Sequence, residues 1–216
     1  MNTRFAVSSL ITILIATTMV QAQDIKLPQP QSSRNTLQVS EALAKRHSVR
    51  EYSHKELSIQ DLSDLCWAAC GQSRDKDHIT APTAMNRQEI RLYVFDRNGA
   101  YEYLPAKNVL KLVATGDNRR LVAGGKAFSQ DFVLDAPLSL VMVIDFEKFG
   151  STGQRALMMG CVDAGNVSEN VNLFCEAAGM VTVPRATMDI EGIRALLGLS
   201  ENQLPILNNP VGYPKE

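Results

Sequence analysis

Apolar and polar positions follow one another along this chain at two different spacings, that of a helix and that of a strand. Apolar residues three and four positions apart predict helices over 36–45, 58–71, 118–132, 154–178 and 189–197. Ser58 with Asp61 three residues later, and Asp189 before the last of these segments, are typical of helix N-terminal caps. The segment from Gln154 to Ala178 is apolar around most of its circumference, so we expect a long central helix there.

The other apolar segments have the alternation or the continuous run of a β-strand. They cover 89–95, 100–104, 109–114, 138–146, 180–188 and 204–211. Asn98-Gly99 is a hairpin turn signal between the first two, and the near-continuous apolar run after Pro137 is typical of a strand buried on both faces. Because helices and strands alternate without a fixed period, we expect an α+β layered domain rather than a doubly wound fold.

The first 35 residues differ in composition from the rest of the chain. Residues 1–22 combine an early cation, an apolar run and a small-residue end at Ala22, which predicts a secretory signal peptide. The run is shorter than the roughly 20 residues that span a bilayer. We therefore expect an exported protein, periplasmic or extracellular, with no membrane span in its mature part. Residues 23–35 are polar and proline-rich, which predicts a flexible segment, and residues 36–216 suit one domain.

Charge and motif content exclude several functions. The formal net charge is -1, with 22 Lys and Arg against 23 Asp and Glu, so no overall basic field attracts nucleic acid. The sequence has no dinucleotide, P-loop, serine-hydrolase or zinc-protease motif, and its three histidines lack the spacing of a metal site.

The four cysteines, Cys66, Cys70, Cys161 and Cys175, are expected to be buried small hydrophobic residues. Cross-pairing between helices is the alternative.

Two short stretches carry candidate binding chemistry. Lys45, Arg46, His47, Ser48 and Arg50 form a basic connection just before the second helix. It is either a solvated helix end, where cations complement the last carbonyl groups, or a cradle for a phosphate.

The second stretch holds two amide side chains, Asn86 and Gln88, shortly before a predicted strand. An amide offers a donor and an acceptor together, which suits the edge of a heterocycle. The alternative is that these residues cap a turn. Taken together, the two stretches indicate a ligand with a phosphate at one end and a polar ring at the other.

Six motifs in order carry a family resemblance: "RHSVREY", "LSIQDLSDLCWAACGQSR", "TAPTAMNRQEIRLYVF", "DAPLSLVMVID", "NVSENVNLFCEAAGM" and "PVGYPK". The chain resembles the nitroreductase family of FMN-dependent oxidoreductases, in particular the short branch related to azoline (thiazole/oxazole) dehydrogenases. The resemblance implies a central, mostly antiparallel sheet flanked by helices, a long central helix and a homodimer.

The resemblance also assigns residues to the cofactor FMN. Arg46, His47, Ser48 and Arg50 match the segment that binds the FMN phosphate and ribityl chain, where the planar guanidinium of Arg suits phosphate oxygens. Asn86 and Gln88 match residues that address the isoalloxazine or ribityl oxygens, in part across the dimer interface. Val183, Pro184 and Arg185 match the segment that approaches the flavin ring, and Lys215 would substitute for basic residues of a C-terminal extension that this chain lacks.

The implied activity is hydride transfer between bound flavin and a small organic substrate of nitroaromatic, quinone or azoline type. No catalytic acid, base or nucleophile stands out, as expected when the cofactor carries the chemistry. The alternatives are a non-catalytic flavin- or nucleotide-binding protein and a dehydrogenase subunit that depends on a partner.

Overall fold

The computed structural model of the protein describes residues 23–34 and 37–215. The signal peptide predicted for residues 1–22 lies outside them. The strands in chain order are Ile25–Lys26 (β1), Ile90–Asp96 (β2), Gly99–Leu104 (β3), Val109–Thr115 (β4), Leu138–Asp145 (β5), Val181–Thr182 (β6) and Gln203–Gly212 (β7). They form one sheet in the order β1-β4-β3-β2-β5-β7-β6, and every pairing is antiparallel. The predicted α+β class is thereby confirmed.

Five helices accompany the sheet in the described part of the chain. They are Val39–Lys45 (α1), Ile59–Cys70 (α2), Arg119–Ala123 (α3), Gln154–Ala177 (α4) and Ile190–Leu197 (α5). Short 3-10 turns cover Ala84–Asn86, Asp131–Leu134 and Phe146–Lys148. The predicted caps are confirmed, since Ser58 Oγ accepts a hydrogen bond from Asp61 N and Asp189 accepts one from Gly192 N.

Both faces of the sheet are covered because alternate side chains of each strand point to opposite sides. One face packs against α2 and α4 through Leu65, Leu92, Leu140, Met142 and Val167. The other packs against α3 and α5 through Tyr93, Val141, Val143, Val122 and Ile193. All eight residues of β5 are buried, as the continuous apolar run predicts.

Two predicted elements are shorter in the structure. The helix predicted over 118–132 ends at Ala123, and a loop follows in which Gly124 pairs with Ser129. The strand predicted over 180–188 pairs regularly only at Val181–Thr182, followed by one isolated bridge between Arg185 and Asn208. Pro184 explains the interruption, since proline has no N–H to donate to a ladder.

The segment predicted to be flexible, residues 23–35, contacts the domain in its described part, residues 23–34. β1 pairs with β4, and the side chain of Leu27 is only 4% exposed. Asp64 on α2 then holds the following residues, because its Oδ1 accepts from Gln31 N at 2.7 Å and its Oδ2 pairs with Arg34 Nη1 at 2.9 Å. A buried carboxylate that needs donors thus fixes a segment whose composition alone suggests mobility.

Two further predictions concern residues that the structure describes: the absence of a membrane span in the mature part and the burial of the cysteines. Of the helices in the described ranges, none has the length and apolar character needed to cross a membrane. All four cysteines are free. Three of them are buried, as predicted, but Cys161 on α4 is exposed, so the prediction of burial is wrong for it.

Candidate functional site

A cleft of about 210 Å³ lies between the basic connection after α1, the C-terminal half of α4 and the segment around β6. The residues that line it are Arg46, His47, Ser48, Val49, Glu169, Asn172, Cys175, Glu176, Met180, Val181, Thr182 and Pro184. Three of the four residues assigned to the phosphate by sequence, Arg46, His47 and Ser48, therefore meet Pro184 of the later assigned segment in one cleft.

The basic connection is fixed by its backbone rather than by its charged side chains. Val49 N donates to Thr182 O at 3.0 Å, which places the connection beside β6. Tyr52 is buried and its hydroxyl donates to Val49 O at 3.2 Å, and Ser53 N donates to Tyr213 O at 2.9 Å. The extended chain after Lys45 is thus tied down at both ends while its side chains remain available.

The cationic side chains of this connection differ in what they contact. Lys45 is paired with Glu41 at 2.6 Å on the same helix. Within the described ranges, by contrast, the side chains of Arg46, Ser48 and Arg50 have no hydrogen-bond or ion-pair partner, and Arg46 is half-buried in the cleft. A guanidinium without an internal partner can turn its full set of donors to a carboxylate or phosphate.

A buried polar network that sequence reasoning missed lies beside the cleft. Asn209 on β7 is fully buried, and its Oδ1 accepts from Ser168 Oγ at 2.7 Å. Its amide donates to Asn172 Oδ1 at 3.1 Å and to Thr182 Oγ1 at 3.2 Å. The network joins α4, β6 and β7, and Asn172 and Thr182 are themselves cleft residues. The sequence signal for it is the pair of asparagines in an otherwise apolar strand.

Arg185, assigned with Val183 and Pro184 to the flavin ring, does not line the cleft. Its guanidinium is buried and donates to Val122 O, Ala123 O, Asn208 Oδ1 and Gln130 Oε1, at 2.7 to 3.0 Å. Burial lowers the pKa of this guanidinium to about 10, so it remains a cation at neutral pH. Val183 is also buried. The structure therefore uses Arg185 to brace the segment from inside, and only Pro184 reaches the cleft.

The amide residues Asn86 and Gln88 lie elsewhere in the single chain. Both side-chain amides donate to Asp77 O, at 3.0 Å and 2.8 Å. Their turn packs near the middle of α4, where Asn166 Nδ2 donates to Pro82 O at 3.2 Å. Glu169, the cleft residue nearest to Asn166 on α4, is three residues further along the helix, but neither Asn86 nor Gln88 is among the residues that line the cleft. One chain therefore does not bring the two predicted halves of the site together.

Lys215 is also apart from the cleft. It lines a separate groove with Tyr52, Lys55 and Tyr213, in which Lys55 Nζ lies 4.1 Å from the centroid of the Tyr213 ring.

An apolar surface runs along the exposed side of α4. It consists of Leu157, Met158, Cys161 and Val162, and the side chains of Met158 and Val162 are each 60% exposed. On α1, Val39 and Leu43 are exposed as well. We call the four α4 residues the α4 surface. Contiguous apolar surface of this kind is typical of a site covered by a partner.

Comparison with known proteins gives a consistent result. Residues 43–213 match the sequence model described as the nitroreductase family. The protein MJ1384 of Methanocaldococcus jannaschii, provisionally named a nitroreductase, is 28% identical over 205 residues, which cover 90% of this chain and 98% of that protein.

Two solved structures share the fold. A provisionally named nitroreductase from Ralstonia eutropha superposes with a TM-score of 0.80 and 28% identity, covering 91% of this chain and 92% of that one. A chain of the microcin synthetase McbBCD complex of E. coli, with truncated pro-MccB17 bound, has a TM-score of 0.69 and 19% identity. It covers 99% of this chain and 85% of that one, and at this identity it shows a common fold.

Proposed function

The chain belongs to the nitroreductase family, and from this premise we propose that it is an FMN-dependent oxidoreductase that transfers hydride between bound flavin and a small organic substrate. The observation that carries the proposal is the cleft in which the half-buried Arg46 and the hydroxyl of Ser48 meet Pro184. Arg46 and Ser48 have no partner for their side chains in the described part of the chain, which makes them free to bind an anionic ligand.

The residues of the cleft fit the phosphate end of FMN. A phosphate monoester is close to a dianion at neutral pH, and Arg46 would bind its oxygens by charge-assisted hydrogen bonds, with Ser48 as a further donor. Arg50, exposed just outside the cleft, would add long-range attraction. Glu169 and Glu176 also line the cleft, and the repulsion of their carboxylates would make Arg46 the place where the phosphate binds.

The chain's own contribution to the reaction is positioning. When bound, FMN supplies the ring that accepts and donates hydride. Pro184 would form part of the wall that faces the cofactor, and the Arg185 contacts keep the backbone of that segment fixed. The Asn209 network holds α4 and β6 at a constant separation, so that the cleft is formed before the ligand binds.

We propose that the active form is a homodimer with α4 at its centre. The α4 surface is apolar and exposed, and Asn86 and Gln88 of the same chain are not among the residues that line the cleft. A partner would cover this surface, and its own Asn86 and Gln88 would complete the site.

Met158→Asp should then give a monomer in light-scattering chromatography and lose FMN. Ile59→Glu, a charge at another exposed apolar position, should do neither. A dimeric Met158→Asp protein with bound FMN would contradict the arrangement.

The activity itself is tested with the purified mature protein. A flavin absorbance spectrum after FMN is added, followed by turnover of a nitroaromatic or a quinone with NADH or NADPH as donor, is the expected result. If flavin is bound but no combination of donor and substrate is turned over, the result would favour the non-catalytic binding protein. A protein that does not bind FMN and does not turn over any of these substrates would refute the proposal.

A second candidate is a dehydrogenase subunit that works within a complex. The observation that favours it is the common fold with a chain of the McbBCD complex, which holds a bound pro-peptide. Turnover that appears only when a co-purified partner is added would support this candidate.

Export is proposed from the sequence of residues 1–22. Mass spectrometry of the mature protein should give an N-terminus at Gln23, and an intact chain that begins at Met1 in the cytoplasmic fraction would contradict it.

A further inference from the structure

Glu89, at the entry to β2, is a buried carboxyl group that the proposed chemistry does not use. Its side chain is 0% exposed, and neither carboxyl oxygen has a hydrogen-bond donor among the described residues. Burying an ionised carboxylate without a partner is very costly, so such a group normally holds a proton.

Asp163 on α4 is the group that faces Glu89. It is 4% exposed, its Oδ2 accepts a hydrogen bond from Ala84 N at 2.7 Å, and its carboxyl lies within hydrogen-bonding reach of that of Glu89. Two carboxyl groups this close bind one proton between them, because a second negative charge in a dry site is unfavourable. Burial, reinforced by Asp163, raises the pKa of Glu89 to about 8.

The turn that Asp163 holds is strained. Met85, Asn86 and Gln88 have φ of 54°, 52° and 51°, the left-handed region that residues other than glycine rarely adopt. Such a conformation persists only when surrounding contacts enforce it. The bond from Ala84 N to Asp163 anchors the start of the turn, and Gln88 N donates to Thr83 Oγ1 at 3.1 Å near its end.

We propose that Glu89 and Asp163 share one proton and are positioning residues for the turn that presents Asn86 and Gln88 to the flavin. This inference rests on the proposed function, because it assumes that the protein binds flavin. At neutral pH the Glu89 O–H donates a hydrogen bond to the Asp163 carboxylate. The Oδ2 atom of the same carboxylate accepts the hydrogen bond from Ala84 N. When base removes that proton, two adjacent carboxylates repel each other, and Asp163 moves away from the turn.

No neighbouring charge compensates this loss. From α4, Asp163 acts on Glu89, and among the described residues no Lys or Arg contributes to the shift of its pKa. From β5, Asp145 meets Glu89 only through its backbone N–H, at 2.9 Å, and its carboxylate accepts from Gln203 and from Glu147 N. The 3-10 turn itself, Ala84–Asn86, has no titratable side chain.

The shared proton is tested first on the flavin-free protein, from about pH 6 to about pH 10, a range that extends to both sides of the raised pKa of Glu89 and lies above the ordinary pKa of a glutamate. Infrared difference spectra should lose the C=O band of a protonated carboxyl group near pH 8, and the amide resonance of Ala84 should shift with the same midpoint. The Glu89→Gln protein should show neither change, because its amide donates to Asp163 at every pH. Glu201→Gln, at an exposed site, is the charge-matched control and should titrate like the wild type.

Asp163→Asn gives a second, opposite result. Its side-chain oxygen can still accept from Ala84 N, while its amide donates to the Glu89 carboxylate, so the infrared midpoint should fall by about one pH unit or more. An infrared band that does not titrate in the wild type, or an Ala84 resonance that stays fixed while the band titrates, would overturn the inference.

FMN titrations then test the positioning role between about pH 7.5 and about pH 9.5, where the phosphate monoester stays a dianion. The wild-type Kd for FMN should rise by up to tenfold per pH unit above the midpoint, because one proton is linked to binding. The Kd of Glu89→Gln should stay level. A wild-type Kd for FMN that does not change with pH would overturn the positioning role. Absence of FMN binding at every pH would refute the proposed function instead, and the flavin-free spectra would still decide the shared proton.

Discussion

Removal of the Arg46 guanidinium separates a phosphate cradle from a solvated helix end. In the structure this group has no hydrogen-bond or ion-pair partner within the described ranges, and it lines the cleft half-buried. Arg46→Ala therefore breaks no side-chain hydrogen bond or ion pair among the described residues and should leave the melting temperature nearly unchanged. The loss should fall on FMN alone. One hydrogen bond to a charged group contributes about 1.5 to 3 kcal/mol, so Kd should rise roughly 10- to 150-fold.

The assay is quenching of flavin fluorescence, run in parallel with FMN and with riboflavin, which has the same ring and ribityl chain but no phosphate. Arg46→Ala should weaken FMN binding and leave riboflavin binding within about twofold. Arg74→Ala, which removes an exposed arginine outside the cleft, is the matched control and should change neither. Equal losses for both ligands, or an unchanged FMN affinity in Arg46→Ala, would refute the phosphate assignment.

Three further predictions concern the framework. Asn209→Ala removes the donor to Asn172 Oδ1 and Thr182 Oγ1 and the acceptor of Ser168 Oγ, so the free energy of unfolding should fall by about 2 to 4 kcal/mol, measured by urea denaturation; a loss below about 0.5 kcal/mol would mean that the network is not needed. Asp64→Ala removes the acceptor of Gln31 N and Arg34, and we expect faster proteolysis within residues 23–34 with the rest of the domain intact. Because the pKa of Glu89 is raised from 4.5 to about 8, the folded state binds the extra proton between these values. Stability should therefore decline as pH rises through that interval, by up to about 1.4 kcal/mol per pH unit, and level off above it. Thermal melts should show less of this decline in Glu89→Gln, and an identical slope in both proteins would contradict it.

The fold was largely readable from the sequence where local chemistry and burial act in the same direction. Ser58 and Asp189 cap their helices, and β5 is buried throughout, because a side-chain oxygen near free N–H groups and a run of apolar residues each have few alternative uses. Residues 23–34 were the opposite case. Their polar composition hid the fact that Asp64, more than 30 positions away, needs their donors.

For the candidate site, the residue types were evident in the sequence but their placement was not. Arg46 and Ser48 do reach a cleft with Pro184. Arg185 is turned inward to four acceptors, and no pattern of neighbours along the chain indicates which way an arginine turns. Glu89 appeared only as the first residue of a strand, and its burial beside Asp163 depends on α4 crossing β2.

The sequence by itself determined the class of fold, the order of its elements and the family, because these follow from periodicity, caps and motifs that act over a few residues. Tertiary structure decided which polar groups are paired, which are free and which are buried with a proton. Those properties depend on distances between segments far apart in the chain. A carboxyl group or a guanidinium acquires its role from the groups that folding brings within about 3 Å of it.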